Sequence, residues 1–221
     1  HSVARYVSPN ALAATFVQAS LLGRDEPSFD ERFQGILRRA LPGNAWYDYQ
    51  SGFIRGHETL FDRLVRTTAW RTVREQMYER TVQVPRVLAT VPDDGPGHPL
   101  IGEIQRVLSA RYGELFSRVS MALYRDGRDS VAWHGDRIAR KLNTALVATV
   151  SLGEPRKLLL RPYGGGVSLS LTLGWGDLFV MGGTCQRTWQ HSVPKVARAG
   201  QRIALMFRPV WEDPTGAVAG Y

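Results

Sequence analysis

The sequence predicts an α+β chain that is mainly β: a sandwich or jelly roll over residues 117–211, under a helical N-terminal layer over 1–116, in one domain. Two observations carry this reading. Apolar residues recur at helical spacing before residue 117 and at strand spacing after it. In the second half, glycine-marked turns such as Asp126-Gly127, Gly164-Gly165-Gly166 and Gly182-Gly183 separate seven or eight short strands.

Ser28-Phe29-Asp30-Glu31 fits a capping box, and Phe29, Phe33, Ile36, Leu37 and Leu41 then mark one face of a helix that Pro42-Gly43 ends. Leu60, Leu64 and Val65 predict a second helix over roughly 57–68, and Ile101, Ile104, Val107, Leu108, Tyr112 and Leu115 a third. Between these two, Thr81-Val82-Gln83-Val84 is extended. Strands follow over Arg118–Tyr124, Ser130–Trp133, Thr144–Leu152, Lys157–Leu160, Gly166–Leu173 and Arg202–Arg208.

Composition excludes several classes. With 43% hydrophobic and 22% charged residues, the chain is a folded one, not a disordered tail. Its one cysteine, Cys185, excludes an internal disulfide framework and an all-cysteine metal site, so a reducing, cytoplasmic setting is expected. No apolar run approaches the ~18 residues of a membrane helix, and His1-Ser2-Val3 opens no signal-peptide pattern. The formal charge of +8 points to a polyanionic partner.

Of five histidines, two lie in strand-rich sequence. His134 and Asp136 are two apart after a short strand, so both can face one ligand, and His191 follows in Trp189-Gln190-His191-Ser192-Val193. Two imidazoles and a carboxylate leave coordination positions open, which suits Fe(II) and also zinc. His1, His57 and His98 are read as surface or structural, and Cys185 as a buried small residue. In Arg202–Arg208, Ile203, Leu205 and Phe207 share one face, which places Arg202 and Arg208 on the other, ~20 Å apart at strand rise. Two arginines so spaced can flank a small carboxylate-bearing molecule from its two ends.

Together, Tyr124-Arg125-Asp126-Gly127, His134-x-Asp136, His191 and Arg202-x5-Arg208 resemble the AlkB-like Fe(II)/2-oxoglutarate dioxygenases, over roughly residues 76–211. Trp133–Asp136 and Gly182–Trp189 make the likeness closest to the family's bacterial branch. The resemblance implies a double-stranded β-helix in which His134, Asp136 and His191 bind iron. It also implies that Tyr124 and Arg202 hold the distal carboxylate of 2-oxoglutarate, with Arg208 near the carboxylate that chelates the metal. Its chemistry consumes O2 and 2-oxoglutarate and removes N-alkyl groups from damaged bases as formaldehyde, which in DNA is direct-reversal repair. It implies further a nucleotide-recognition hairpin around Met77–Arg86. Tyr78 would there fill the gap left by a flipped base, and Arg80 and Arg86, in the arginine-rich stretch 55–86, would contact phosphate. The partner expected is nucleic acid, DNA before RNA, for a monomer that binds no membrane.

Three positions depart from the family pattern. Ala122 and Ala204 stand where many members carry asparagine, which removes two amide contacts worth about 1 kcal/mol each. Ile138 stands where an acidic residue often reads the base. Ile138 favours a second reading, the same oxygenase chemistry on a protein or small molecule. The two alanines favour a third, a nucleic-acid-binding protein with a weak or silent iron site.

Overall fold

The computed structural model describes residues 25–77, 80–91, 98–137 and 139–211, with backbone alone for 73–85, 90 and 91. Its centre is a double-stranded β-helix. One four-stranded sheet has the order β11-β10-β13-β8, built from β8 (Val131–His134), β10 (Arg156–Pro162), β11 (Leu169–Leu173) and β13 (Trp189–Val193). The facing strands β7 (Arg118–Tyr124), β9 (Val147–Gly153), β12 (Asp177–Gly183) and β14 (Arg202–Arg208) form the middle of an eight-stranded sheet of order β2-β3-β12-β9-β14-β7-β6-β5. All recorded pairings in these two sheets are antiparallel.

Strands from before residue 117 extend that larger sheet on both sides. On one side lie β2 (Leu37–Leu41) and β3 (Ala45–Gln50), on the other the hairpin β5 (Arg71–Met77) and β6 (Arg80–Val91). A separate two-stranded ribbon pairs β1 (Ser28–Phe29) with β4 (Ile54–Arg55).

The helical layer consists of α1 (His57–Thr67) and α2 (Pro99–Tyr112). Sequence signals bound α2 closely: the His98 ring accepts from the Leu100 amide, Pro99 opens the helix, and Gly113 ends it at φ 69°. Leu60 and Leu64 of α1 and Ile101, Ile104 and Leu108 of α2 bury against Val150, Leu152, Leu178, Val180, Ile203, Leu205 and Phe207. That core lies on the outer face of the large sheet. A second core, with Tyr124, Val147, Leu158, Leu160, Phe179, Met181 and Trp189, fills the space between the two sheets. Strand alternation therefore divides each central strand between a structural core and an interior cavity.

The helix predicted over residues 28–41 is absent. Asp30 does satisfy backbone donors, but those of a turn: its carboxylate accepts from the amides of Arg32 and Gln34 and from Gln50 Nε2. Phe33 adopts φ 53°, which breaks helical continuation, and stacks on Phe53 with centroids 5.6 Å apart. Leu37–Leu41 then pairs with β3, and Leu41 is buried while Leu37 is exposed. The capping box of Ser28 and Glu31 is not formed: Ser28 pairs in β1, and Asp30 between them caps a turn instead of a helix.

The Gly182 position in β12 has a steric cause. It lies opposite Trp46 of β3, whose indole occupies the space a Cβ would need. The indole also carries Arg38, its guanidinium 3.6 Å from the ring centroid, and stacks with Tyr112, centroids 6.1 Å apart. Arg38 is in turn held by Asp48, at 2.7 Å and 2.9 Å. Trp46 therefore has nowhere to retreat, and Gly182→Ala is expected to cost about 2 kcal/mol by overpacking. Urea denaturation checks this, and an unchanged midpoint would show that the indole yields.

Candidate active site

The interior face of β14 presents Arg202, Ala204, Met206 and Arg208, and that of β7 presents Ser120, Ala122 and Tyr124. Cross-strand register sets Arg202 opposite Tyr124, Ala204 opposite Ala122 and Met206 opposite Ser120. The two alanines are thus direct neighbours, both buried, and line an apolar middle between two arginines.

Arg202 is 2% exposed. Its Nη2 donates to Ser151 Oγ at 2.8 Å, and its guanidinium lies 5.1 Å from the Tyr124 ring centroid. Nε and Nη1 are buried without a partner. Burial, then the neighbouring Arg156, pulls its pKa down from the usual guanidinium range. A buried cation with two unsatisfied donors and no carboxylate is costly unless an anion joins it. The carboxylate of a co-substrate would supply one.

Arg208 bridges the other end. Its Nη1 donates to Ser120 Oγ at 3.1 Å, and its Nε lies 3.1 Å from Asp136 Oδ2, close enough for an ion pair but not aligned as a hydrogen bond.

His134 and His191 are partners across β8 and β13, their ring centroids 4.2 Å apart. A register irregularity between this pair and Val131–Val193 lets Val131 and His134 both turn inward although three residues apart. His134 Nδ1 lies 2.8 Å from the Ala132 carbonyl. A carbonyl only accepts, so the proton sits on Nδ1 and Nε2 keeps its lone pair. Burial, then the nearby Arg86 and Arg208, holds the His134 pKa below the ordinary imidazole range. The same burial, with His134 itself and both arginines, pushes His191 far lower. Both rings are therefore neutral, the form that ligates metal.

Asp136 stands apart from the rings in this arrangement. Its amide donates to Gln186 Oε1, its Oδ1 accepts from the Ala139 amide at 3.4 Å, and its Oδ2 faces Arg208. Among the described residues, no three His, Cys, Asp or Glu side chains converge on one metal position. The donor set nevertheless has the chemistry of a two-histidine, one-carboxylate site. Arg208 engages Asp136 through Oδ2, which leaves Oδ1 as the oxygen that would ligate the metal.

Of the other residues singled out by sequence, Arg86 lies beside this site, with Nη1 3.5 Å from the Ser130 carbonyl. Arg80 is in β6 with its side chain outside the described set, and Tyr78 and Ile138 lie outside the described residues. Cys185 is buried, and burial pushes its thiol up to about 12. Iodoacetamide at pH 8 should therefore leave native protein unlabelled and label it once unfolded, as read by mass spectrometry; rapid native labelling would contradict this burial.

Sequence reasoning passed over Arg156, Ser151 and Gln186. Arg156 is 3% exposed and donates to the carbonyls of Asp126, Asp129 and Pro194. It fastens the β7–β8 connection to the chain after β13, next to the Tyr124 ring. Its one signal was an arginine at a buried phase of an alternating strand. Ser151 offered none, being a small residue in an apolar strand, and Gln186 showed only as a member of the Gly182–Trp189 motif, without a role.

Known proteins agree with this architecture. The family model described as the 2OG-Fe(II) oxygenase superfamily matches residues 66–208. The bovine "Alpha-ketoglutarate-dependent dioxygenase alkB homolog 3" is 29% identical over 182 residues, covering 72% of this chain and 64% of that protein. The Arabidopsis thaliana "DNA oxidative demethylase ALKBH2" is 29% identical over 196 residues, covering 69% of this chain and 62% of the relative. The chain thus spans slightly less than two thirds of the length of these relatives. Among solved structures, OsALKBH1 superposes with a TM-score of 0.56 at 13% identity, over 78% of this chain and 100% of that one, a likeness of fold alone. With the match covering more than half its length, the chain belongs to the 2OG-Fe(II) oxygenase superfamily, whose chemistry uses Fe(II), 2-oxoglutarate and O2.

Proposed function

We propose that the protein oxidatively dealkylates N-alkylated bases in nucleic acid, DNA before RNA, using Fe(II) and 2-oxoglutarate, and so reverses alkylation damage directly. The observation that carries the co-substrate half is Arg202, a buried guanidinium with unsatisfied donors on the interior wall. The nucleic-acid half draws on the likeness to relatives named as alkB homolog 3 and DNA oxidative demethylase, and on the net charge of +8.

In this reading His134, His191 and Asp136 hold the iron, which when loaded supplies O2 activation coupled to 2-oxoglutarate decarboxylation. Arg202, with Ser151 and Tyr124, receives the distal carboxylate, and Arg208 stands near the metal-proximal end. Arg156 acts as a positioning residue by fixing the loop that carries Tyr124 toward β8. The apolar pair Ala122 and Ala204 passes the middle of the co-substrate without hydrogen bonds, so its binding rests on its two ends. Burial by the second core excludes water from this stretch. A base within a duplex cannot reach a site between two sheets, so it must come from a single strand or be flipped out. Tyr78, Arg80 and Arg86 are the hairpin residues assigned to that step. No helix among the described residues is long and apolar enough to cross a membrane. The single cysteine supports work in the reducing cytoplasm, and the protein is assigned as a monomer.

The test begins with anaerobic Fe(II) and 2-oxoglutarate, which should produce a weak visible charge-transfer band. Succinate and formaldehyde are then measured with a 1-methyladenine single strand and with its duplex. Equal release of both products supports the dealkylase. Succinate without loss of the methyl group from either strand would move the assignment to a protein or small-molecule substrate. Absence of the visible band at saturating co-substrate would end both enzyme readings.

A further inference from the structure

The positive charge of this chain is concentrated. Residues 137–198 contain nine Lys and Arg against two Asp and Glu, a net of +7 in a chain whose total is +8. By comparison, the arginine-rich stretch 55–86 carries seven Arg against four Asp and Glu, a net of +3, and residues 25–54 ahead of it carry three Arg against five acids. Of the two acids in 137–198, Asp177 is buried and accepts from the Gly52 amide. Glu154 lies in the β9–β10 turn, where its amide donates to the Gln201 carbonyl. That turn is at the opposite end of β10 from Pro162, which pairs with Trp189.

Beyond Arg86 and Arg208, already placed beside the candidate iron site, exposed cations bracket it from two sides. Arg137 directly follows Asp136, and the Arg140 amide, in the short 3-10 turn Ala139–Lys141, donates to the Asp136 carbonyl. Arg187 lies in α3 (Cys185–Thr188), beside the Gln186 whose Oε1 accepts from the Asp136 amide. α3 packs on that turn and leads into β13 and His191. Arg137, Arg140 and Arg187 are all exposed. Among the described residues, neither Arg137 nor Arg140 pairs with a carboxylate, and Arg187 donates only to the Asn143 amide oxygen. On the adjoining outer face of the small sheet, Arg161 stacks 4.1 Å over Trp133, the residue before His134.

We propose that the phosphate backbone of a single-stranded nucleic acid docks on this flank, with Arg137, Arg140 and Arg187 as its principal contacts. The inference rests on the nucleic-acid reading above and moves the principal phosphate contacts from the first part of the stretch 55–86, up to Arg71, to the segments that bracket the site, Arg80 and Arg86 remaining with the hairpin. Cations spread over separate elements suit an extended polyanion better than one small anion. Their position beside His134 and Asp136 places a bound strand next to the site its base must enter.

The probe is a short fluorescent single strand carrying one 1-methyladenine, titrated by anisotropy across a salt series. Each phosphate contact with single-stranded nucleic acid contributes about 0.7 to the slope of log affinity against log salt. The triple variant Arg137→Gln/Arg140→Gln/Arg187→Gln should therefore lower that slope by about 2 and weaken binding at least tenfold near 0.1 M salt. A control triple, Arg55→Gln/Arg66→Gln/Arg71→Gln, should change it by less than about 0.5. Circular dichroism and succinate release without nucleic acid establish that both variants fold. A wild-type slope in the first triple, or the larger loss in the control, overturns the surface alone. Preference of wild-type protein for anionic vesicles or polyglutamate over the strand also overturns it. If the wild type binds no strand at any salt, the surface falls together with the function it rests on.

Discussion

His134→Ala is expected to lower succinate formation at least about a thousandfold, a loss of about 4 kcal/mol of transition-state stabilisation. The argument comes from the ring itself. Its Nδ1 proton is committed to the Ala132 carbonyl, and the lone pair on Nε2 has no proton to compete with it. His191, directly opposite, is kept neutral by burial and by the surrounding positive charges. Removing either imidazole leaves one ring and one carboxylate, too few protein ligands for a stable site with open positions. The fold should survive, because β8 is the edge strand of its sheet and His134 is only half-buried. Circular dichroism monitors the fold, and the anaerobic visible band, read with and without the variant, isolates metal binding from turnover. More than a tenth of wild-type activity in His134→Ala would remove the proposed metal site. Asp136→Ala should be equally inactive. If it turns over normally, the carboxylate is structural, as its ion pair with Arg208 would allow, and is not a metal ligand.

What the sequence made legible follows from where side-chain pattern alone decides structure. The alternation over Arg202–Arg208 left one outcome, because Ile203, Leu205 and Phe207 had to face one core, and both arginines lie on the other face as expected. Helix α2 was legible because Ile101, Ile104, Val107, Leu108 and Tyr112 keep one apolar face, but Gly113 ends it before Leu115, which is exposed beyond the helix. The segment 28–41 was not, since Asp30 serves a turn and a helix cap by the same hydrogen bonds, and only the tertiary stacking of Phe33 on Phe53 decides between them. Spacing alone pointed His134 and Asp136 at one ligand, but it did not encode the pairing of that carboxylate with Arg208, 72 residues later in the sequence. Net charge divides between two stretches, +3 over 55–86 and +7 over 137–198, and the second is harder to see in the sequence because it lacks acids more than it abounds in bases.

Arg202→Met should separate stability from function in opposite directions. In wild-type protein the guanidinium is buried, with Nε and Nη1 unsatisfied, and its own pKa is depressed by that burial and by Arg156. Methionine fills a similar volume without charge. The substitution removes the donor to Ser151 Oγ, which costs about 1 kcal/mol, but it relieves a desolvated cation whose replacement by apolar residues gains about 1–4 kcal/mol. Without co-substrate, Arg202→Met should therefore melt several degrees higher, at about 2–4 °C per kcal/mol for a chain of this size. With 2-oxoglutarate the order reverses in meaning. Wild-type protein should gain about 2.7 kcal/mol at a hundredfold excess over its dissociation constant, while the variant gains nothing. Losing a buried charge partner costs about 3–5 kcal/mol, so the concentration needed for half-maximal succinate formation should rise at least a hundredfold. Thermal melts with and without 2-oxoglutarate, alongside succinate kinetics, read both effects on the same samples. A variant that melts lower than wild type and is still stabilised by 2-oxoglutarate would show that Arg202 is a structural cation whose unsatisfied donors await no carboxylate.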